Sequence, residues 1–203
     1  MAKRQNRLAA VMQNNGIDLW HPVLVDRNIF PESKFHHEIN HIYKSLDGIL
    51  EVYPLGLGDF DIITENYFVE LDEENHFNRY RKITLQSEIY KQYKYFSVAD
   101  YMTYCDDMEH KGGKVGNFWT TPKSEEQFGK SSTEKDLSGN GPARWKQRAF
   151  YDFLKDIYGI LINKPVFRFS IYEKINGVSI NTILKKQKNE DVLLKHLSAT
   201  LNV

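Results

Sequence analysis

GDFDIITENYFVELDEENHFNRYR, residues 58–81, is the stretch on which the fold turns. Two apolar runs, Phe60 to Ile63 and Tyr67 to Leu71, flank the polar triplet Thr64-Glu65-Asn66, which signals a β-hairpin. Side chains alternate along a strand, so Glu70 and Asp72 share one face while Leu71 takes the other. Asp59 and Asp61 share a parity on the first strand and lie across the hairpin from that pair. Carboxylates from two adjacent strands are thereby expected to converge at one end of a sheet.

Working outward, Phe35, Ile39, Ile42 and Leu46 repeat at helical spacing, which predicts a helix over 32–46 ended by Asp47-Gly48. Leu8, Val11 and Met12 predict a short helix over 3–14. Residues 17–31 read as irregular with one short strand, and Ile49 to Tyr53 as a further strand before Pro54. Downstream, 76–108 is mainly helical in pattern. Residues 111–143 are rich in Gly, Ser, Lys and Glu without periodicity, a loop-like insertion expected to border the site. Trp145, Ala149, Phe153 and Ile157 mark a helix that Gly159 is expected to end. Pro165 precedes VFRFSIY, a strand with Phe167, Phe169 and Ile171 on one side. Helices over about 179–188 and on to Leu201 close the chain. The expected architecture is α/β: one domain over 1–203, with a mixed central sheet of four or five strands flanked by helices.

The chain has 203 residues, 41% hydrophobic and 13% aromatic, enough for one packed core. Its 27 basic and 27 acidic residues cancel, so any nucleic-acid affinity must come from local charge. A single cysteine, Cys105, excludes an internal disulfide framework and a Cys-rich zinc site. The apolar run at the start, Leu8 to Met12, is too short for a signal peptide or a bilayer span. A cytoplasmic setting is expected.

Clustered carboxylates suit Mg²⁺ or Mn²⁺, hard cations that take oxygen ligands. Asp59, Glu70 and Asp72 are the expected metal ligands, with His76 near enough to bind or to move a proton. Arg79, Arg81 and Lys82 open a basic, tyrosine-rich stretch suited to phosphate contact and base stacking. The plainer alternatives are a solvated hairpin end for Glu70 and Asp72, and a packed amphipathic helix for the tyrosines.

DFDIITENYFVELDEENHF resembles the core of small proteins related to the very-short-patch-repair endonucleases, within the PD-(D/E)xK superfamily. Asp59-Phe60 matches that pattern's DF, Val69 to Asp72 its acidic strand end, and His76 its histidine. RWKQRAFYDFLKDIYGILINKPVFRFSIY is similar to the family's later helix and strand, with Arg148 and Arg168 in the arginine places. The pattern departs at Glu73, where the family has Gly, and at Asp72, which occupies the place of the E-x-K lysine. The resemblance implies a restriction-endonuclease-like core and a Mg²⁺-dependent endonuclease acting on DNA. It implies a further metal ligand from the preceding helix, Glu38, and contact of Arg148 and Arg168 with substrate phosphate. His37 and His41 lie four apart on that same helix, a spacing that can hold a metal. The expected partners are DNA and a second copy of the chain. The alternative is a nuclease-fold module that binds nucleic acid or protein without cleaving.

Overall fold

The computed structural model describes residues 3–20 and 25–201, a mixed α/β arrangement. In chain order it comprises α1 (Lys3–Gln13), α2 (His36–Ser45), β1 (Ile62–Ile63), β2 (Phe68–Asp72), α3 (Arg79–Thr84), α4 (Val98–Met108) and α5 (Pro122–Phe128). There follow α6 (Ala143–Leu161), β3 (Val166–Ser170), β4 (Lys174–Ile175), β5 (Val178–Ser179), α7 (Ile180–Lys186) and α8 (Glu190–Leu201). None of these helices is long and apolar enough to cross a membrane.

Thr64 closes the hairpin: its hydroxyl donates to the Tyr67 carbonyl (2.9 Å) and accepts from the Tyr67 N–H (3.1 Å). β1 pairs antiparallel with β2, and β3 joins the other edge of β2 in parallel, Glu70 opposite Arg168 and Asp72 opposite Ser170. A parallel neighbour needs a long crossover; here it runs through α3 to α6. Among the described residues, the five strands divide into this sheet of three and a separate β4–β5 ribbon, and the expected single sheet of four or five is not seen.

Both faces of the three-stranded sheet are covered. Val69, Leu71, Phe167, Phe169 and Ile171 pack with Leu8, Ile180 and Leu197 from α1, α7 and α8. Each such side chain contributes about 1.5–3 kcal/mol on burial. Phe68, together with Phe60 and Ile63, packs on the other side with Phe153 and Ile157 of α6. Glu70 and Asp72 have the parity of Phe68, so both are carried into the layer between sheet and α6.

Further expectations are corrected. Ile49 to Tyr53 forms no strand, because its amides are engaged elsewhere: Ile49 N–H donates to the Gln127 carbonyl and Leu50 N–H to the Tyr43 hydroxyl. Residues 111–143 are not simply loop. Pro122 stands in the first turn of α5, the Thr121 and Ser124 side chains cap it reciprocally, and Trp119 and Phe128 are buried. Gly159 does not end α6, which continues to Leu161. A Cβ there would come within 2.7 Å of the Lys164 carbonyl and of Val166 Cγ2, so glycine lets the helix pass close to β3. Within 17–31, residues 21–24 lie outside the described residues, and the described ones hold a 3₁₀ turn over Arg27–Ile29.

Candidate functional site

The hairpin register sets Asp61 beside Glu70. Asp61 N–H donates to Glu70 Oε1 (3.0 Å), and Leu71 N–H donates to Asp61 Oδ2 (2.9 Å). Gln5 of α1 donates to the remaining Asp61 oxygen (2.7 Å). Below the sheet, Asp152, Lys155 and Asp156 occupy positions three and four apart on α6 and therefore face it together. Lys155 Nζ donates to Glu70 Oε2 (2.7 Å).

A second group adjoins this one. Arg168 Nη1 donates to both oxygens of Asp72 (2.9 and 3.0 Å), Nε to Asp156 Oδ1 (2.7 Å), and Nη2 to the Asp152 carbonyl (3.0 Å). Asp156 also accepts from Arg81 Nη2 (2.9 Å) and the Tyr90 hydroxyl (2.6 Å). His76 Nδ1 lies 2.8 Å from Asp152 Oδ2 and 3.2 Å from Asp72 Oδ1.

Burial dominates the electrostatics. It pushes the Glu70 carboxyl up to about 7, against the pull of Lys155. It also raises Asp61, again opposed by Lys155. For His76, burial disfavours the charged ring, but Asp152 and Asp72 outweigh it and hold the pKa above its ordinary value. Asp152 is correspondingly held well below the carboxylate range, because His76 and Arg168 overcome its burial.

Two donor sets can be tested for a metal. Asp72, His76 and Asp152 each offer an atom within 4.8 Å of the others. A nitrogen with two oxygens suits Mn²⁺ or Zn²⁺ better than Mg²⁺. Arg168 and His76 already pair with those carboxylates, so a cation there must take the His76 nitrogen from them. Asp61 and Glu70 are all oxygen and neighbours at the hairpin, with the Lys155 ammonium beside them and each of their oxygens already accepting a hydrogen bond. That set matches a hard cation.

The residues expected from sequence divide accordingly. His76 lies beside Asp72, while Glu70, two residues earlier on β2, turns to Lys155. Asp59 is exposed, and it is Asp61 that stands beside Glu70, its backbone N–H donating to Glu70 and its carboxylate within that group's field. The strand starts at Ile62, so equal parity at 59 and 61 does not give equal reach. Glu38 accepts from Ser87 Oγ, and His37 and His41 are exposed. Arg81 and Arg168 are 1% and 2% exposed and turn to carboxylates inside, so neither offers a donor to an outside phosphate. Arg79 pairs with Glu109 and Lys82 with Asp106 at the surface. Tyr80 and Tyr90 pack inside instead of presenting rings for stacking. Arg148 is part-buried near His76, within the field of Asp152, Asp72 and Glu73.

Sequence reasoning missed Asp152, Lys155 and Asp156. Their signal was present: they interrupt the apolar face that Ala149, Phe153 and Ile157 define, and a charge on a buried face needs a partner. The insertion does reach this region, since Gly113 N–H donates to Asn75 Oδ1 (2.7 Å), one residue before His76.

The family described as "Family of unknown function (DUF7255)" matches residues 41–186. No curated protein and no solved structure matches the chain.

Proposed function

The chain belongs to the DUF7255 family, and we propose that it is a metal-dependent endonuclease hydrolysing phosphodiester bonds in DNA, on a restriction-endonuclease-like core. The observation that carries this reading is the meeting of Asp61, Glu70 and Lys155 at the open end of the hairpin. A carboxylate on β2, a second on the residue before β1 and an ammonium from the crossover helix form a set that phosphoryl transfer can use. The lysine absent from the place after Glu70 in sequence is supplied in space by Lys155, 2.7 Å from Glu70 Oε2.

Asp61 and Glu70 would hold Mg²⁺ or Mn²⁺. Such an ion, when bound, polarises a phosphoryl oxygen and lowers the pKa of a water ligand. Lys155 only partly offsets the burial that raises the Glu70 carboxyl, and would place a positive charge where charge develops on the substrate. His76 commits Nδ1 to Asp152 and Asp72, which leaves Nε2 to pass a proton to the departing oxygen. Arg168 fixes Asp72, so Asp72 orients His76 and is not a first choice of metal ligand.

A second reading, a nuclease-like module that binds without cutting, is favoured by one observation. Glu70 and Asp72 are each 1% exposed, and both Asp72 oxygens are taken by Arg168. Titration of Mg²⁺ and Mn²⁺ by calorimetry, with plasmid and single-stranded DNA cleavage in parallel, separates the two. Wild type should bind and cut, while Glu70→Ala and Lys155→Met should not cut. A wild type that binds neither ion at millimolar concentration and leaves both DNAs intact removes the enzyme.

A further inference from the structure

Arginines in this chain are mostly matched to carboxylates. Arg4 pairs with Glu73 and Glu74, Arg7 with Glu190, Arg79 with Glu109, Arg81 with Asp156 and Arg168 with Asp72. Exposed Arg27 aside, Arg144 and Arg148 break the pattern. They stand four apart near the start of α6 and so share a face. Among the described residues, the Arg144 guanidinium donates only to the neutral Gln147 Oε1, and the Arg148 guanidinium has no hydrogen bond or ion pair.

Burial lowers the Arg148 pKa, and the neighbouring Arg144 lowers it further, with Asp152, Asp72 and Glu73 only partly offsetting them. Two like charges on one helix turn, one of them largely withdrawn from water, are costly unless an anion completes them. They stand in the first turns of a 19-residue helix, whose positive end adds to the same field. His76 feels Arg148, so the pair borders the candidate site and is not remote from it.

We propose that Arg144 and Arg148 seat a phosphate group of the nucleic-acid substrate beside His76. Two planar guanidinium forks match the tetrahedral oxygens of a phosphate better than a lone ammonium does. The assignment deepens the nuclease reading and rests on it for the identity of the phosphate's carrier. Carboxylates on the protein itself are excluded as the partner because those nearby are already bound: Asp72 by Arg168, Asp152 by His76, and Glu73 by Arg4. The phosphate has two sources, an internal diester or a terminal monoester.

The test is binding of a fluorescein-labelled 20-nucleotide DNA, with 5′-phosphate or 5′-hydroxyl, in EDTA, by anisotropy across a salt series. Wild type should bind, and Arg144→Gln and Arg148→Gln should each weaken binding roughly tenfold and reduce the salt slope by about one. Arg79→Gln, an exposed and paired arginine, should leave it unchanged. A loss confined to the 5′-phosphorylated strand identifies the monoester; an equal loss with both strands identifies the diester. If Arg148→Gln fails to fold, Arg144→Gln and Arg148→Lys carry the test, with thermal melting as the control. Binding that is absent in wild type, or equal in wild type and both arginine variants, overturns the proposal even if DNA is cleaved. Arginine-dependent binding without cleavage upholds the phosphate seat and removes the nuclease.

Discussion

Replacing Arg168 with methionine isolates what the buried charge network contributes. The guanidinium is 2% exposed and makes four hydrogen bonds of 3.0 Å or less, to Asp72 (two), Asp156 and the Asp152 carbonyl. Methionine fills similar volume but leaves Asp72 with the shared His76 proton alone, and Asp156 with Arg81 and Tyr90. Removing one member of a buried ion pair costs about 3–5 kcal/mol. Unfolding of 203 residues carries an entropy of roughly 0.4 kcal/mol per kelvin, so the melting temperature should fall by roughly 7–12 °C. The comparison is Arg79→Met, whose exposed pair with Glu109 is worth about 0–1 kcal/mol and should shift melting by no more than about 2 °C. Both are read by calorimetry at neutral pH. Adding Asp72→Asn to Arg168→Met should recover part of the loss, because a stranded carboxylate is removed. An Arg168→Met protein that melts within about 2 °C of wild type refutes the reasoning: the network would then be net neutral.

Glu70 binds a proton in the folded chain up to about pH 7, whereas unfolded it ionises near 4.3, the reference value for Glu. The folded state therefore holds the extra proton between those values, and stability falls as pH rises through that window. Urea titrations of wild type against Glu70→Gln should show a flatter decline for the variant, and equal slopes would count against the raised carboxyl. Asp61→Asn should abolish Mn²⁺ binding by calorimetry while Asp59→Asn retains it; the reverse result would return the ligand role to Asp59. Lys155→Met should lose DNA cleavage by at least a hundredfold, consistent with loss of one charged stabilising group, and full retained activity would remove Lys155 from the site.

Sequence made the hairpin, α1, α6 and β3 legible because each carries a period that burial on one side enforces. The acidic end of β2 was legible for the same reason: parity alone places Glu70 with Asp72. The choice between Asp59 and Asp61 was not, since parity does not say where pairing begins, and the strand starts only at Ile62. Lys155 and Asp152 were hidden by distance along the chain. They lie more than 75 residues from Glu70 and His76, and meet them only because β3 returns parallel to β2 and lays α6 on that face. Arg81 and Arg168 were misread because a basic residue in sequence looks the same whether its partner is a phosphate outside or an aspartate inside.

The zero net charge takes on a different meaning once burial is known. Of the 27 acidic and 27 basic residues, four of each are buried: Glu70, Asp72, Asp152 and Asp156, against Arg81, Lys146, Lys155 and Arg168. Interior and surface are thus each balanced, 23 against 23 outside, and the surface supplies no general attraction for a polyanion. Binding of nucleic acid to such a surface must depend on where cations without a carboxylate partner stand together. Arg144 and Arg148 are such a pair, at the border of the candidate site. Affinity should therefore be modest, steep in those two arginines and shallow in salt, in contrast to a protein that binds through a broad basic face.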